Sequence, residues 1–384
     1  MVPKLITKQI LCVVGARPNF MKIAPVIRAL NNSNYPLLVR LLHTGQHYDA
    51  AMKQSFFDQL HIPEPDIDLG VGSGTHAVQT ADIMMRFEPV LDEFNPDAIL
   101  VVGDVNSTIA CALVAVKKGV PVIHVEAGLR SGDRTMPEEI NRVLTDQISD
   151  LLFTTERSAE ENLLREGIGA EKVHFVGNVM IDTLRYNIDS AVPSTETIAA
   201  YVDADGDADQ YSRYEAGFGL VTLHRPANVD DPVVLERLLR TLWDIGEHLP
   251  LLFPVHPRTI QSIRTAGLEH LISGNHLVPL PPMGYLNMLG LMKDARIVLT
   301  DSGGIQEETT ALGVACLTLR ENTERPVTVS EGSNTVVGSD SDIILSCFRD
   351  IVETGGKAGR IPEYWDGKAA ERIADVVGEW LCVA

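Results

Sequence analysis

The sequence predicts an α/β protein of two doubly wound parallel-sheet domains, and three observations predict it. The chain has 384 residues, enough for two domains at roughly 100–200 residues each. Short, nearly continuous apolar runs, as expected of strands buried on both faces, alternate with segments of helical periodicity. Run after run then ends in a polar or glycine-bearing cluster, which is where ligands bind along the carboxyl edge of an open parallel sheet.

Composition narrows the function. Hydrophobic residues make up 45% of the chain, which supports real cores. No apolar run approaches the ~18–20 residues that span a bilayer. Met1 to Gln9 is not followed by a signal-peptide pattern, so a cytoplasmic protein is expected. Cys12, Cys111, Cys316, Cys347 and Cys382 form no CxxC pair and read as buried free thiols; neither a metal nor a cofactor is expected. The net charge of −20 disfavours nucleic acid and membranes as partners. An anionic ligand would therefore need a local set of cations.

In the first domain, Gln9 to Gly15 reads as a strand and Ile23 to Leu30 as a helix, with Pro18 well placed near its start. Arg17, in a Gly-x-Arg-Pro turn, reads as a phosphate ligand; Lys22 alone reads more simply as a solvated cation. Leu37 to Leu42 is the next strand, followed by a polar loop in which Gln46 and His47 are candidate ligand contacts. Gly45 between His43 and His47 argues against a metal-binding helical face. Ala50 to Leu60 and Thr80 to Phe94 read as helices, with the Gly70 to Thr75 loop between them. Asp97 to Gly103 is a buried strand with Asp104 at its end, either a catalytic carboxylate or a helix N-cap. Val120 to Val125 is a strand that delivers Glu126. Pro137, Glu138 and Glu139 suit a helix start, acids being favoured at its positive end. Asp104, Glu126 and Glu138 together are harder to explain that way. Crowded, partly buried carboxylates serve as acids or bases near neutral pH. Leu151 to Thr154 and Val173 to Val176 are further strands, separated by a helix from Arg157 to Glu166. The domain is expected to close near residue 185, and 189–217, with its acidic run Asp203 to Asp209, reads as a linker with some helix.

The second domain repeats the pattern. Strands are expected at Gly219 to Leu223, Leu251 to Val255, His276 to Pro279, Ile297 to Thr300 and Cys316 to Leu319. Helices are expected at Pro232 to Glu247, Thr259 to Ala266, Tyr285 to Lys293 and Gln306 to Leu312. Each strand delivers candidates: His224 and Arg225; His256 and Arg258; Tyr285; Ser302, Gly303 and Gly304; Arg325. The fourth stretch is the most telling. Two glycines and a serine at a strand-to-helix turn leave backbone N–H groups open to an anion at the positive end of the helix dipole. Glu308, one turn on, is placed to take a sugar hydroxyl pair. The plainer alternative is a tight glycine bend. The residues together point to a nucleotide-sugar enzyme, with the nucleotide on the second domain and the chemistry on the first across a cleft. No GxGxxG fingerprint is present, so NAD is not indicated. The stretch from Ala369 to Val383 reads as a helix that returns to the first domain, giving 1–185 plus 366–384 and 186–365.

The motifs Gly15-Ala16-Arg17-Pro18, Gly103-Asp104, His124-Val125-Glu126-Ala127-Gly128-Leu129-Arg130, Pro137-Glu138-Glu139-Ile140-Asn141-Arg142, His224-Arg225, Asp301 to Glu308 and Thr323-Glu324-Arg325-Pro326 run in order through the chain. As a set they resemble the non-hydrolysing UDP-N-acetylglucosamine 2-epimerases of bacteria and archaea. The resemblance implies a GT-B fold of two Rossmann-like domains facing across a cleft, and a homodimer. It implies interconversion of UDP-N-acetylglucosamine and UDP-N-acetylmannosamine for surface polysaccharides, by anti elimination of UDP to 2-acetamidoglucal and re-addition. By resemblance Asp104, Glu126 and Glu138 share the acid and base work and His224 assists near the leaving phosphate. Arg17, Lys22, Arg142, Arg225, His256, Tyr285, Ser302, Gly303, Gly304 and Arg325 would hold UDP or substrate, and Glu308 the ribose.

Many bacterial members bind an activating second substrate through Gln-His-x-x-Met. Here Gln46-His47 is followed by Met52, two residues too far along, so only Gln46 and His47 stand as candidates for that site. Rival readings are an epimerase of a related sugar such as UDP-2,3-diacetamido-2,3-dideoxyglucuronate, a hydrolysing epimerase, a glycosyltransferase of the same fold, and a binding protein without turnover. The intact carboxylate set argues against the last.

Overall fold

A computed structural model describes residues 7–45, 62–201, 213–214, 216–272 and 274–383, with the side chain of residue 17 left out of the description. Gln46, His47, the expected helix at 50–60 and the acidic run at 203–209 lie outside the described residues. The chain divides into two units, residues 1–186 with 363–384, and residues 187–362.

In the first unit the strands are β1 (Lys8–Val14), β2 (Leu37–His43), β3 (Ile67–Asp68), β4 (Ala98–Val102), β5 (Val122–Ala127), β6 (Leu151–Thr154) and β7 (Val173–Phe175). They pair in parallel in the order β3-β2-β1-β4-β5-β6-β7. The helices are α1 (Arg17–Asn32), α2 (His76–Phe94), α3 (Asn106–Lys117), α4 (Pro137–Ile148), α5 (Arg157–Arg165) and α6 (Val179–Asn187). β4 is buried along its whole length, because parallel strands with helices on both faces have no solvent side. One layer of the core joins Leu11, Val13, Ile99 and Val101 of the sheet to Ile83, Phe87 and Leu91 of α2 and Val114 of α3. α2 begins at His76, earlier than its apolar pattern suggests, because the Thr75 side chain caps it by accepting from the Val78 amide.

In the second unit α7 (Ser194–Tyr201) precedes β8 (Gly219–Thr222), α8 (Pro226–Val229), α9 (Pro232–Gly246), β9 (Leu251–Pro254), α10 (Pro257–Ala266), β10 (Leu277–Leu280), α11 (Tyr285–Asp294), β11 (Ile297–Thr300), α12 (Gly303–Leu312), β12 (Ala315–Thr318), α13 (Pro326–Ser330), β13 (Asn334–Val336) and α14 (Ser341–Thr354). Its strands are parallel in the order β10-β9-β8-β11-β12-β13. Leu239, Leu242 and Ile245 of α9 pack with Phe253, Leu299 and Leu317 of the sheet.

The last helix, α15 (Ala369–Cys382), belongs to the first unit. Asp182 of α6 caps it by accepting from the amides of Ala369 and Ala370, and the buried Trp365 indole donates to the Thr155 carbonyl at 3.0 Å. Both sheets reverse strand order once, between β1 and β4 and between β8 and β11. Those reversals open the crevices where ligands of such sheets bind. No helix among the described residues is long and apolar enough to cross a membrane.

Candidate functional site

At the first unit's reversal, the loops after β1 and β4 are joined by one buried amide. Asn19 accepts from the Gly15 and Ala16 amides at 3.3 and 3.0 Å and donates to the Val102 carbonyl at 3.0 Å. Next to it Gly103 has φ +66°, and a Cβ there would lie 2.9 Å from Lys22 Nζ. Glycine therefore admits both the left-handed turn and the lysine. Lys22 is buried and pairs with Glu126, Nζ to Oε1 at 2.7 Å, so it is not the solvated cation its sequence context suggests.

Glu126 is reached by an irregularity in β5. The β5–β6 register shifts between Val125 and Ala127, and Glu126 takes φ +73°. A bulge of this kind re-aims a side chain, and a left-handed non-glycine residue costs about 1–3 kcal/mol that the surroundings must supply. Those surroundings are charged and buried. His124 Nδ1 lies 2.7 Å from Asp146 Oδ1, and its Nε2 lies 2.9 Å from the Gly103 carbonyl. Asp146 also pairs with Arg130 at 2.8 Å and accepts from the Gly128 amide. The tips of β4 and β5 are thus fastened to each other just beside Asp104 and Glu126.

Asp104 does not cap α3, whose N-cap is Val105. Its carboxylate meets Arg142 of α4 at 2.5 Å, and Arg142 also holds Glu139 at 2.7 Å. Glu139 in turn accepts from the amides of Ser131 and Gly132, fixing the loop after β5. Glu138, half-buried in the first turn of α4, has no hydrogen-bond or ion-pair partner among the described residues. The two neighbouring glutamates therefore differ: Glu139 builds the loop, and Glu138 is available.

In the second unit the corresponding reversal is closed by Asp301, which is fully buried. It accepts from the His224 and Arg225 amides at 3.0 and 2.9 Å and from the Asn228 side chain at 3.2 Å. The His224 ring also meets it, Nδ1 to Oδ1 at 2.9 Å. Burial opposes ionisation of Asp301, but the His224 hydrogen bond and charge and the two amides outweigh it and hold its carboxyl below the usual range. α12 begins at Gly303, three residues before its apolar pattern does. The amides of Gly303 and Gly304 therefore belong to a first helical turn, which has no internal acceptors for them.

The cations expected around a phosphate are already braced by carboxylates. Arg325 Nε pairs with Glu307 at 2.6 Å; Arg320 and Arg225 share Glu324 at 2.8 and 3.4 Å. Burial alone would raise the Glu324 carboxyl, but Arg325, Arg320 and Arg225 hold it at about 2. Arg258 pairs with Asp230, and the Arg258 amide donates to His256 Nδ1, the N-cap of α10. The His256 and His224 rings lie 5.7 Å apart. Gln306 accepts from Thr323 and Asn334 and so sets the loop that carries Arg325. Tyr285 donates to Glu308 at 3.0 Å. Burial pushes the Glu308 carboxyl up to about 8; the tyrosine opposes that shift and the neighbouring Glu307 charge adds to it. Asn19, His124, Glu139, Asp146, Asp301, Gln306, Glu307, Arg320 and Glu324 escaped the sequence reading as functional residues, although most sit inside the motifs quoted above.

Fold and site together define a two-unit α/β protein with acids at the strand tips of one unit and arginines around a glycine-opened helix in the other. The model of the UDP-N-acetylglucosamine 2-epimerase family matches residues 28–378. The chain is 40% identical to the UDP-N-acetylglucosamine 2-epimerase of Methanococcus maripaludis over 95% of its own length and 97% of the relative's. It is also 40% identical to the UDP-2,3-diacetamido-2,3-dideoxy-D-glucuronate 2-epimerase of Pseudomonas aeruginosa, over 97% and 99%. The crystal structure of the Methanocaldococcus jannaschii UDP-GlcNAc 2-epimerase in complex with UDP-GlcNAc and UDP superposes with a TM-score of 0.84 at 39% identity, covering 96% of this chain and 99% of that one. The chain belongs to the UDP-N-acetylglucosamine 2-epimerase family, a family of isomerases with a GT-B-like fold.

Proposed function

We propose that the protein interconverts UDP-N-acetylglucosamine and UDP-N-acetylmannosamine at carbon 2. The observation that carries this reading is the set of three carboxylates, Asp104, Glu126 and Glu138, at two adjacent strand tips and the following helix start of one unit. A carboxylate removes the carbon-2 proton. The C–H electron pair becomes the carbon 1–carbon 2 double bond, and UDP departs with the electron pair of its bond to carbon 1. Return of a UDP oxygen to carbon 1, with protonation of carbon 2 on the opposite face, completes the inversion. Two faces need two acid–base positions, which the carboxylate set supplies.

In this reading the second unit takes UDP. Arg225, Arg325 and the Gly303 and Gly304 amides neutralise the diphosphate, Glu308 takes the ribose hydroxyls, and His224 assists the leaving phosphate through its exposed ring edge; Arg17 and Lys22 are the first unit's candidate substrate ligands. Arg142 acts on substrate through Asp104, which it holds. His256 and Tyr285 act through the loops and the glutamate they brace. Gln46 and His47 are the candidates for an activator site. A homodimer in the cytoplasm, supplying a precursor for surface polysaccharide, completes the reading; exposed Met85, Ile140 and Leu144 on α2 and α4 support the dimer.

A second reading, epimerisation of UDP-2,3-diacetamido-2,3-dideoxyglucuronate, is favoured by the equal identity to the Pseudomonas relative. Proton NMR in heavy water tests both. Deuterium at carbon 2 with a new UDP-N-acetylmannosamine signal is expected from UDP-N-acetylglucosamine. Inertness toward it, with deuterium entering the diacetamido-uronate instead, would replace the first reading by the second.

A further inference from the structure

We infer that Asp301 is a positioning residue for His224: it fixes which ring nitrogen carries the hydrogen, and it joins that ring to the anion-binding turn of the same unit. The inference rests on the proposed role of His224 at the leaving phosphate and adds to it. The geometry is specific. Asp301 follows β11 directly and is itself followed by Ser302, Gly303 and Gly304; His224 follows β8, the neighbouring strand across the sheet reversal. The carboxylate is 0% exposed and accepts only. A nitrogen 2.9 Å from it must therefore donate, so His224 Nδ1 carries a hydrogen. That leaves Nε2, on a ring 37% exposed and without a partner among the described residues, as the nitrogen that can take or give a proton.

Asp301 also receives both backbone amides that flank the ring's Cα and the Asn228 amide, which itself donates onward to the Leu319 carbonyl at 2.8 Å. The carboxylate thus cannot swing away from the ring without abandoning three other donors. Of the neighbouring charged groups, Arg225 is engaged by Glu324, and the His256 ring stands 5.7 Å from that of His224. Asp301 is the carboxylate that the ring meets. A neutral substitute changes the ring rather than the loop: in Asp301→Asn an amide NH₂ facing Nδ1 would donate to it and force the hydrogen onto Nε2.

The test has two parts. In the unmodified protein, nitrogen-15 NMR of the imidazoles, with His224 assigned through His224→Gln, is expected to show the neutral ring protonated on Nδ1. A ring protonated on Nε2 would overturn the inference, and this readout needs no active or foldable Asp301 variant. The second part is a double-mutant cycle in turnover. Asp301→Asn is expected to lower kcat about 10²–10⁴-fold, as wrong-tautomer variants of buried Asp–His pairs do, with UDP affinity within about tenfold. In a His224→Gln background the same change is expected to cost less than about threefold, because the group it acts through is gone. An equal cost in both backgrounds would show that Asp301 serves only to hold the loop, leaving the His224 reading intact. Unmodified turnover in His224→Gln alone would remove the His224 reading, and this inference with it.

Discussion

Each unit closes its sheet reversal with one buried side chain, but the two clamps differ in charge. Asn19 in the first unit is a neutral amide that satisfies two amides and one carbonyl. Asp301 in the second is a carboxylate that satisfies two amides, a side-chain amide and the His224 ring. The same sheet reversal, clamped from after its first strand in one unit and from after the strand across the reversal in the other, therefore serves different ends. Beside Asn19 two of the acids proposed for chemistry are already in ion pairs, Glu126 with Lys22 and Asp104 with Arg142, and the clamp has only the backbone to hold. Beside Asp301, the acid that the histidine meets is the clamp itself. In the proposed reading Asp104, Glu126 and Glu138 of the first unit act on substrate, whereas Asp301, Glu307 and Glu324 of the second hold its cations and its histidine.

The sharpest way to break this contrast is to neutralise an acid in each unit. Glu126→Gln and Asp104→Asn are expected to lower kcat by roughly 10²–10⁴-fold, the usual share of a general acid or base; steady-state kinetics with normal rates in both would remove the distinction. Glu307→Gln and Glu324→Gln are expected to act first on the fold, by about 3–5 kcal/mol in chemical denaturation, because each leaves a buried arginine with less than its full counter-charge. A loss of turnover without loss of stability would place these two with the catalytic acids instead. Asn19→Ala is expected to cost about 1–3 kcal/mol by removing the acceptor of the Gly15 and Ala16 amides, while the Val102 carbonyl keeps the Thr108 hydroxyl, with little added effect on any proton transfer.

The second unit also carries two buried glutamates with opposite pH signs. Glu324, lowered from 4.5 to about 2, contributes stability that is present above 4.5 and lost as pH falls toward 2. Glu308, raised from 4.5 to about 8, holds its proton more tightly when folded, so stability falls as pH rises from 4.5 through 8. Denaturation curves of Glu324→Gln are expected to lose the acid-side slope, and those of Glu308→Gln the slope between pH 4.5 and 8. Identical slopes in both variants would contradict the assignment.

Much of the architecture is legible in the amino-acid sequence. Ile297–Thr300 is the strand its apolar run announces, and the β/α alternation gives both parallel sheets. The elements misjudged are those whose composition hides them. α12 opens on two glycines, poor helix formers that delay the apparent start to Gln306. β5 runs on past Val125 through a charged, bulged Glu126. β13, only Asn334–Val336, has too little apolar pattern to announce itself. At the site the chemical residue types are visible in the sequence, but their partners are not. Lys22 and Glu126 stand 104 positions apart, and spacing along the chain carries no sign of such a pair. Nor does spacing along the chain separate Glu138 from Glu139, since it is the loop amides of Ser131 and Gly132 and the Arg142 side chain that claim one of them.

The most direct test of the division between the units is Glu138→Gln, because that side chain engages no other among the described residues. Calorimetric titration with UDP, run beside turnover on the same preparation, reads binding and chemistry separately. The account predicts UDP affinity within about threefold of the unmodified protein, with turnover reduced by at least about 10²-fold. Turnover retained, or lost only in step with UDP affinity, would contradict it.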